Sequence, residues 1–167
     1  MDGEAPDRGM RFLCDEMLHG LGRWLRGAGY DTAIAETGGA DGALLDLALS
    51  EGRKLLTRDR AILQRRRAAD VVVLVRGDTV QEQALDLGRR LGLDWLADPL
   101  SRCMVCNTGL EPAPPALAGL APANVRASGL AIRHRAGCDR LYWPGSHERR
   151  IRATLREFAR ASGPKEP

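Results

Sequence analysis

Lys54-Leu55-Leu56-Thr57-Arg58-Asp59 carries three signals at once. A short apolar run reads as a buried strand, a Thr-Arg-Asp turn ends it, and Ala61-Ile62-Leu63 opens helically after it. In a parallel α/β sheet, ligands gather beyond the carboxyl ends of the strands, where Asp59 would stand. Phe12-Leu13-Cys14 ends in the same way, running into Asp15-Glu16 and then a helical pattern. Two strands that each deliver an acid to one sheet edge predict a carboxylate cluster for a divalent metal.

Working outward, strand and helix patterns alternate. Arg11 to Cys14 is the first strand, and Leu18, Leu21, Leu25 and Ala28 follow at helical spacing up to Gly29 as a C-cap. Asp31 to Glu36 is a weak strand broken by Gly38-Gly39. Asp41 holds an N-cap position ahead of Leu44, Leu45, Ala48 and Leu49, and Gly52 closes that helix. A short basic helix through Arg65, Arg66 and Arg67 is expected after Asp59, then a buried strand over the β-branched run Val71 to Val75. Thr79 and Glu82 form a capping box for a helix with Val80, Ala84, Leu87 and Leu91 as its apolar stripe. This alternation predicts an α/β three-layer sandwich with a central parallel sheet.

The character changes after Pro99. Cys103-Met104-Val105-Cys106 precedes a Pro- and Ala-rich stretch, Glu111 to Ala123, with neither helical nor strand period. Strand-like pieces, Ala131 to Arg133 and Arg140 to Trp143, surround Cys138. Pro144-Gly145 turns the chain, Ser146 is placed to cap, and a helix follows. Ile151, Leu155, Phe158 and Ala159 form its apolar face, with Arg149, Arg150, Arg152, Arg156 and Arg160 on the others.

A chain of 167 residues fits one domain with a small appendage, and 44% hydrophobic residues exclude disorder by composition. A formal charge of +3 does not by itself select nucleic acid. Apart from Lys54 and Lys165, every basic residue of the Lys/Arg set is arginine, whose planar fork suits phosphate. An Ala-, Gly-, Leu- and Arg-rich composition explains the same preference without a ligand. Met1 to Gly9 reads as a loose tail, with no signal peptide and no run of transmembrane length, so a cytoplasmic protein with reduced thiols is expected. A Cys-x-x-Cys in that setting points to metal binding or redox chemistry.

Asp15, Asp41 and Asp59 fall at strand ends or helix starts on one predicted sheet edge. Phosphodiester hydrolysis uses such clusters, because Mg²⁺ and Mn²⁺ prefer hard oxygen ligands and can activate water and neutralise the leaving oxygen. Each acid also has a plainer explanation: Asp41 and Asp59 as helix caps, and Asp15-Glu16 as partners of a helix dipole. Asp78 follows a strand too and is a further candidate ligand.

Phe12-Leu13-Cys14-Asp15-Glu16-Met17-Leu18, Gly22-Arg23-Trp24-Leu25-Arg26 and Gly29-Tyr30-Asp31-Thr32 resemble the opening of the PIN-like nucleases of the Mut-seven C-terminal RNase family. Leu55-Leu56-Thr57-Arg58-Asp59-Arg60 is similar to that family's second hallmark. Arg102-Cys103-x-x-Cys106-Asn107 and Cys138-x-x-x-Tyr142-Trp143-Pro144-Gly145-Ser146-His147 resemble its third and fourth, an attached zinc ribbon. The match runs in order from about Arg11 to Arg150. It implies a PIN-like fold and a metal-dependent ribonuclease, with Asp15, Asp41 and Asp59 as the acids around Mg²⁺ or Mn²⁺. The domains expected are a tail (1–9), a PIN-like nuclease domain (10–98), a zinc-ribbon segment (99–146) and a C-terminal helix and tail (147–167).

The ribbon departs from the pattern at one point, because Arg135 stands three before Cys138. The Zn²⁺ ligands expected are therefore Cys103, Cys106, Cys138 and His134, or else the ribbon has lost its ion and survives by packing. His147 is a second candidate for the fourth ligand, but the resemblance puts it in the Trp-Pro-Gly-Ser-His turn and implies that it faces the active site or RNA, with Arg58, Arg152 and Arg156 expected as further RNA contacts. Trp24, Trp95 and Trp143 either stack on bases or pack, and Cys14 is apolar filling. Two other functions fit parts of the chain. One is a non-catalytic RNA-binding protein using the ribbon and the arginine-rich helix. The other is a thiol oxidoreductase at Cys103 and Cys106, disfavoured because that motif lies outside the α/β pattern.

Overall fold

The computed structural model describes residues 9–38, 40–136 and 140–163, and says nothing of the Asp41 side chain. The tail reading of the first residues and the ligand role of Cys138 therefore lie outside the described residues.

In chain order the first half comprises β1 (Phe12–Cys14), a 3-10 turn (Glu16–Leu18), α1 (His19–Gly27), β2 (Thr32–Ile34), α2 (Asp41–Glu51) and β3 (Lys54–Thr57). A second 3-10 turn (Ala61–Gln64), α3 (Ala68–Val71), β4 (Val72–Leu74) and α4 (Val80–Leu91) complete it. The four strands are parallel, in the order β2-β1-β3-β4. Side chains alternate along a strand. Phe12, Cys14 and Leu56 accordingly join Leu21, Leu25 and Leu87 in one core, while Leu13 and Leu55 join Leu45, Ala48 and Ile62 in the other. Two cores on opposite faces of one sheet make three layers, as expected. Each such fully buried aliphatic or aromatic side chain contributes about 1.5–3 kcal/mol relative to exposure.

The remainder is β5 (Leu110–Pro112), α5 (Pro115–Ala118), α6 (Ala123–Ala127), β6 (Arg133–Arg135), β7 (Leu141–Tyr142) and α7 (Ser146–Ser162). The three strands form a separate antiparallel sheet in sequence order. Helix α7 returns to the main core, burying Ile151, Leu155 and Phe158. It lies so close to α4 that a Cβ at Gly88 would run into Ser162. Trp95, considered above as a base-stacking residue, is fully buried there, edge-on to Phe158 with ring centroids 5.1 Å apart.

The small sheet is tied to the main one by polar contacts. The buried Arg26 donates from Nε to the Thr32 carbonyl (2.8 Å) and from Nη1 to the Val105 carbonyl (2.5 Å). Asn107, in the left-handed conformation at φ 70, accepts from the Thr32 N–H (3.0 Å) and donates to Asp31 (2.6 Å). Asp31 also receives Arg53 (2.9 Å) and Arg11 (3.1 Å). Burial opposes the charged form of Asp31, but the hydrogen bonds from Arg53 and then Asn107 outweigh it and hold the carboxyl well below its usual range.

Several expectations are corrected. Helix α2 is capped by Ala40, and Asp41 is its first residue rather than its N-cap. Gly145, not Ser146, precedes α7 as its N-cap. At the end of α1 the C-cap is Ala28, with Gly29 (φ 101) next. The arginine run is not helical: Arg65 ends the 3-10 turn and Arg67 adopts φ 66 before α3. Three consecutive arginines offer no apolar stripe, so packing has nothing with which to hold a short helix there. Val72–Leu74 is a strand as read, but it is half-buried, because it lies at the sheet edge. The Pro- and Ala-rich stretch contains β5 and α5, elements too short to show a period. Among the described residues no helix is long and apolar enough to cross a membrane.

Candidate active site

The strand order reverses direction between β1 and β3: the chain first steps from β1 outward to β2, then returns to the other side of β1. The carboxyl ends of those two strands are where an α/β sheet opens a crevice for ligand. Asp15 directly follows β1 and Asp59 stands two residues beyond the end of β3, so both acids stand at this point.

Their positions are coupled through Thr57. The Asp15 N–H donates to the Leu56 carbonyl (3.0 Å), continuing the β1–β3 ladder one step beyond the strand. Its carboxylate caps the following turn by accepting the Met17 N–H at Oδ1 (2.9 Å), and its Oδ2 accepts the Thr57 hydroxyl. The same Thr57 oxygen accepts the Asp59 N–H (3.0 Å). Asp59 in turn holds the Ala61 N–H at Oδ1 (2.8 Å). Thr57 and Asp15 are buried, whereas Asp59 is exposed. One buried hydroxyl therefore fixes both acidic segments against each other. Read from the sequence as a partner of the helix dipole, Asp15 is the N-cap of the 3-10 turn, and that cap engages only one of its oxygens.

The rest of the edge is charged. Asp41 begins α2, which follows β2 at the same end of the sheet. The Arg65 guanidinium rests near that helix start, 3.1 Å from where a Cβ on Gly42 would be. Glu16 accepts the Gly38 N–H (3.0 Å). Arg58 pairs with Asp78 at 2.7 Å, so the two candidates read separately from the sequence meet one another.

The acids suit a hard divalent cation. Each oxygen of Asp15 has accepted one hydrogen bond and retains a second acceptor position, and Asp59 Oδ2 makes no hydrogen bond among the described residues. Mg²⁺ is commonly held by one or two carboxylates, with waters and substrate phosphates completing the shell. Among the described residues no three His, Cys, Asp or Glu side chains form a ready-made metal cage. The Asp15 carboxylate, tied through Thr57 to the segment that bears Asp59, suits the shared, substrate-completed arrangement instead.

The knuckle at Cys103-x-x-Cys106 is a different matter. Cys103 is buried and Cys106 exposed. Cys103 Sγ lies 3.2 Å from the Tyr142 hydroxyl, 3.3 Å from Arg135 Nη1 and 3.4 Å from the Val105 N. Burial resists ionisation of this thiol, but hydrogen bonds from Tyr142, the Cys106 and Val105 backbone and Arg135 bring it down to about 6. Cys14, by contrast, sits in the core, where burial pushes its thiol up. Neighbouring residues of a strand point to opposite faces. Since Arg135 reaches Cys103, the preceding His134 is directed away from it. Among the described residues His134 Nδ1 is buried without a partner, and His134 does not join Cys103 and Cys106 in a metal-binding group. Among the described residues Cys103, Cys106 and His134 do not form a metal-binding group, Cys138 lies outside them, and nothing below is derived through Zn²⁺. Zinc content measured by elemental analysis is expected to be equal in the wild type and in His134→Ala. A loss of zinc confined to the variant would restore His134 as a ligand.

Of the RNA contacts read from the sequence, Arg152 is engaged by Glu148 one turn earlier (2.7 Å), and Arg156 is exposed on α7. His147 is exposed and lines hollows between α7 and α1. Sequence reasoning missed Thr57, although its place two residues before Asp59 at a strand end is the pattern by which a hydroxyl can accept that N–H. A family model described as Mut7-C RNAse domain matches residues 10–155. No curated protein and no solved structure matches the chain.

Proposed function

The chain belongs to the Mut7-C RNAse domain family, and from that membership we propose that it is a metal-dependent ribonuclease that hydrolyses RNA phosphodiester bonds at the β1–β3 edge. The observation that carries this reading is the Asp15–Thr57–Asp59 network, in which one hydroxyl ties the Asp15 carboxylate to the backbone of Asp59 at the switch point of the sheet. Asp15 and Asp59, with Asp41 as third candidate, would hold Mg²⁺ or Mn²⁺. When bound, such an ion neutralises charge on the phosphoryl group and makes water acidic enough to act as nucleophile.

The chain's own contributions are orientation and charge. Thr57 donates to one acid and accepts from the segment bearing the other, so the carboxylates need little rearrangement when substrate arrives. Burial of Asp15 beneath the edge limits its freedom, while exposure of Asp59 leaves it accessible to phosphate and water. Arg58 stands at the same edge with its guanidinium on Asp78. That side chain is about one-third exposed, and it can exchange its carboxylate partner for a phosphate.

The test is cleavage of a generic single-stranded RNA by purified wild-type protein. Activity is expected with Mg²⁺ or Mn²⁺, to fall to background in excess chelator, and to return when the ion is restored. Cleavage indifferent to chelator would remove the metal from the reading. Binding without cleavage under every ion would leave only the RNA-binding alternative.

A further inference from the structure

We infer that the hollow between α1, the cysteine knuckle and the start of α7 is a strand-holding site for single-stranded RNA, taking a phosphate on Arg23, Arg133 and Arg140 and a base against Trp143. The inference rests on the ribonuclease reading for its ligand class, and on an independent set of residues for its location.

The hollow measures about 490 Å³, inside the roughly 300–1,000 Å³ of small-ligand sites. Its wall carries Arg23 from α1, Arg102 beside the knuckle, Arg133 from β6, Arg140 just before β7, and His147 from α7. Among the described residues the one acid on the wall is Glu148, already paired with Arg152 at 2.7 Å. Arg102 has its donors on the Gly29 and Asn107 carbonyls (3.3 and 2.9 Å). Arg23, Arg133 and Arg140 make no side-chain hydrogen bond or ion pair among the described residues. Three cations from three separate elements line one hollow whose one acid among the described residues is already paired, a lining that favours an anion. Phosphate is the anion whose geometry the guanidinium fork matches.

The lining is not all polar. Leu100, Leu141 and Ile151 belong to the same lining, together with the half-buried Trp143. Sulfate or a carboxylate would have no use for such a surface, whereas a nucleotide presents a base to stack and a phosphate to pair. A strand is favoured over a free nucleotide because the hollow does not end there. A second one, of about 510 Å³, shares Arg23, Met104, His147 and Ile151 with it and extends to Gly20 and Arg150. Gly20 lies in the first turn of α1, which the Asp15-capped 3-10 turn immediately precedes. At 1.5 Å per residue, Arg23 lies only about 12 Å along this segment from Asp15. The two hollows thus form a track that follows α1 from Gly20 and ends beneath the small antiparallel sheet. On this reading that sheet grips the strand that the main sheet cuts.

The experiment is anisotropy of a fluorescein-labelled single-stranded RNA titrated with protein at several salt concentrations, on an Asp59→Asn background in chelator so that the RNA stays intact. Arg133→Gln/Arg140→Gln is expected to weaken binding at least tenfold and to flatten the slope of log affinity against log salt by about 0.7 per lost phosphate contact. Trp143→Ala is expected to weaken it by about 5- to 150-fold with the salt slope unchanged. Arg23→Gln, on a helix outside the small sheet, repeats the charge test should the other variants fold poorly, as judged by thermal melting. Arg156→Gln/Arg160→Gln, on α7, is expected to leave affinity and slope unchanged. If instead the α7 pair reduces binding while the hollow variants do not, the RNA lies on the outer helix and the inference falls. It falls as well if a nucleoside monophosphate alone competes as strongly as the oligomer, because the site then serves a free nucleotide. The assay needs no cleavage, so a wild type that never cuts RNA but loses binding in the hollow variants overturns the ribonuclease reading and leaves this one standing.

Discussion

Asp15→Asn and Asp59→Asn are each expected to lower ribonuclease activity by about 10²–10³-fold or more while leaving the protein folded. Removing one oriented group that acts on developing charge typically costs that much, and loss of a mere supporting partner of a metal ligand costs about 10–100-fold. Asparagine keeps the shape of each side chain and its acceptor oxygen, so the caps on the Met17 and Ala61 N–H groups can persist. What disappears is the negative charge that the cation needs. Thr57→Val provides the internal control. It removes the hydroxyl that joins the acids without removing either carboxylate, so an intermediate loss is expected, about 10–100-fold. Rates of cleavage of a labelled single strand, together with melting curves for each variant, check the set. Undiminished cleavage by both asparagine variants would remove the catalytic assignment.

Asp31→Ala is expected to produce the largest loss of stability, because it strips the anion from a largely buried arginine. The Arg53 side chain is only 9% exposed, and Asp31 is its bidentate partner at 2.9 and 3.3 Å. Arg53 retains Glu51 (2.5 Å) and the Phe12 carbonyl (3.1 Å), so the cost is set at about 2–4 kcal/mol rather than the full value for an orphaned buried charge. For a chain of this size that corresponds to roughly 5–15 °C in melting temperature. The same substitution frees Asn107 and loosens the small sheet from the start of β2. The pH dependence has a definite sign. The folded-state pKa of Asp31 lies below its unfolded value of about 4, so the unfolded chain binds the proton more readily. The stabilisation is therefore fully present above about pH 5 and is lost as the pH falls through and below 4. Melting temperature followed from pH 7 to pH 3 should drop less in Asp31→Asn than in the wild type. An identical acid limb in the two would mean that other carboxylates carry the acid sensitivity.

The architecture of the main sheet was legible because its signals are local. Phe12 to Cys14 and Lys54 to Thr57 are apolar runs ended by turn residues, and Thr79 with Glu82 forms the capping box observed, with the Thr79 hydroxyl on the Glu82 N–H at 3.2 Å. Gly52 and Gly92 end their helices at φ 63 and 61, the left-handed conformation that glycine adopts without strain. Placement of Asp15 and Asp59 on one edge follows from these elements once the strands are parallel. The antiparallel sheet was harder to read, since two- and three-residue strands leave no period to detect.

Pairing decided what the sequence left open. Nothing local to Arg58 or Asp78 says that they meet, nor that Thr57 bridges the acids, since each contact spans a crossover. Arg152 meets Glu148 within its own helix, a contact local spacing allows, whereas Arg23, Arg133 and Arg140, without an ion pair among the described residues, come from elements far apart in sequence. The choice between His134 and Arg135 at Cys103 turned on strand alternation, which shifts every side chain to the other face for a slip of one residue. Composition, periodicity and capping are properties of neighbouring residues, so the sequence alone determined a parallel α/β sheet with acids at one edge. Which charges are neutralised and which remain for a ligand depends on distances between elements, and those distances are fixed only when the layers pack.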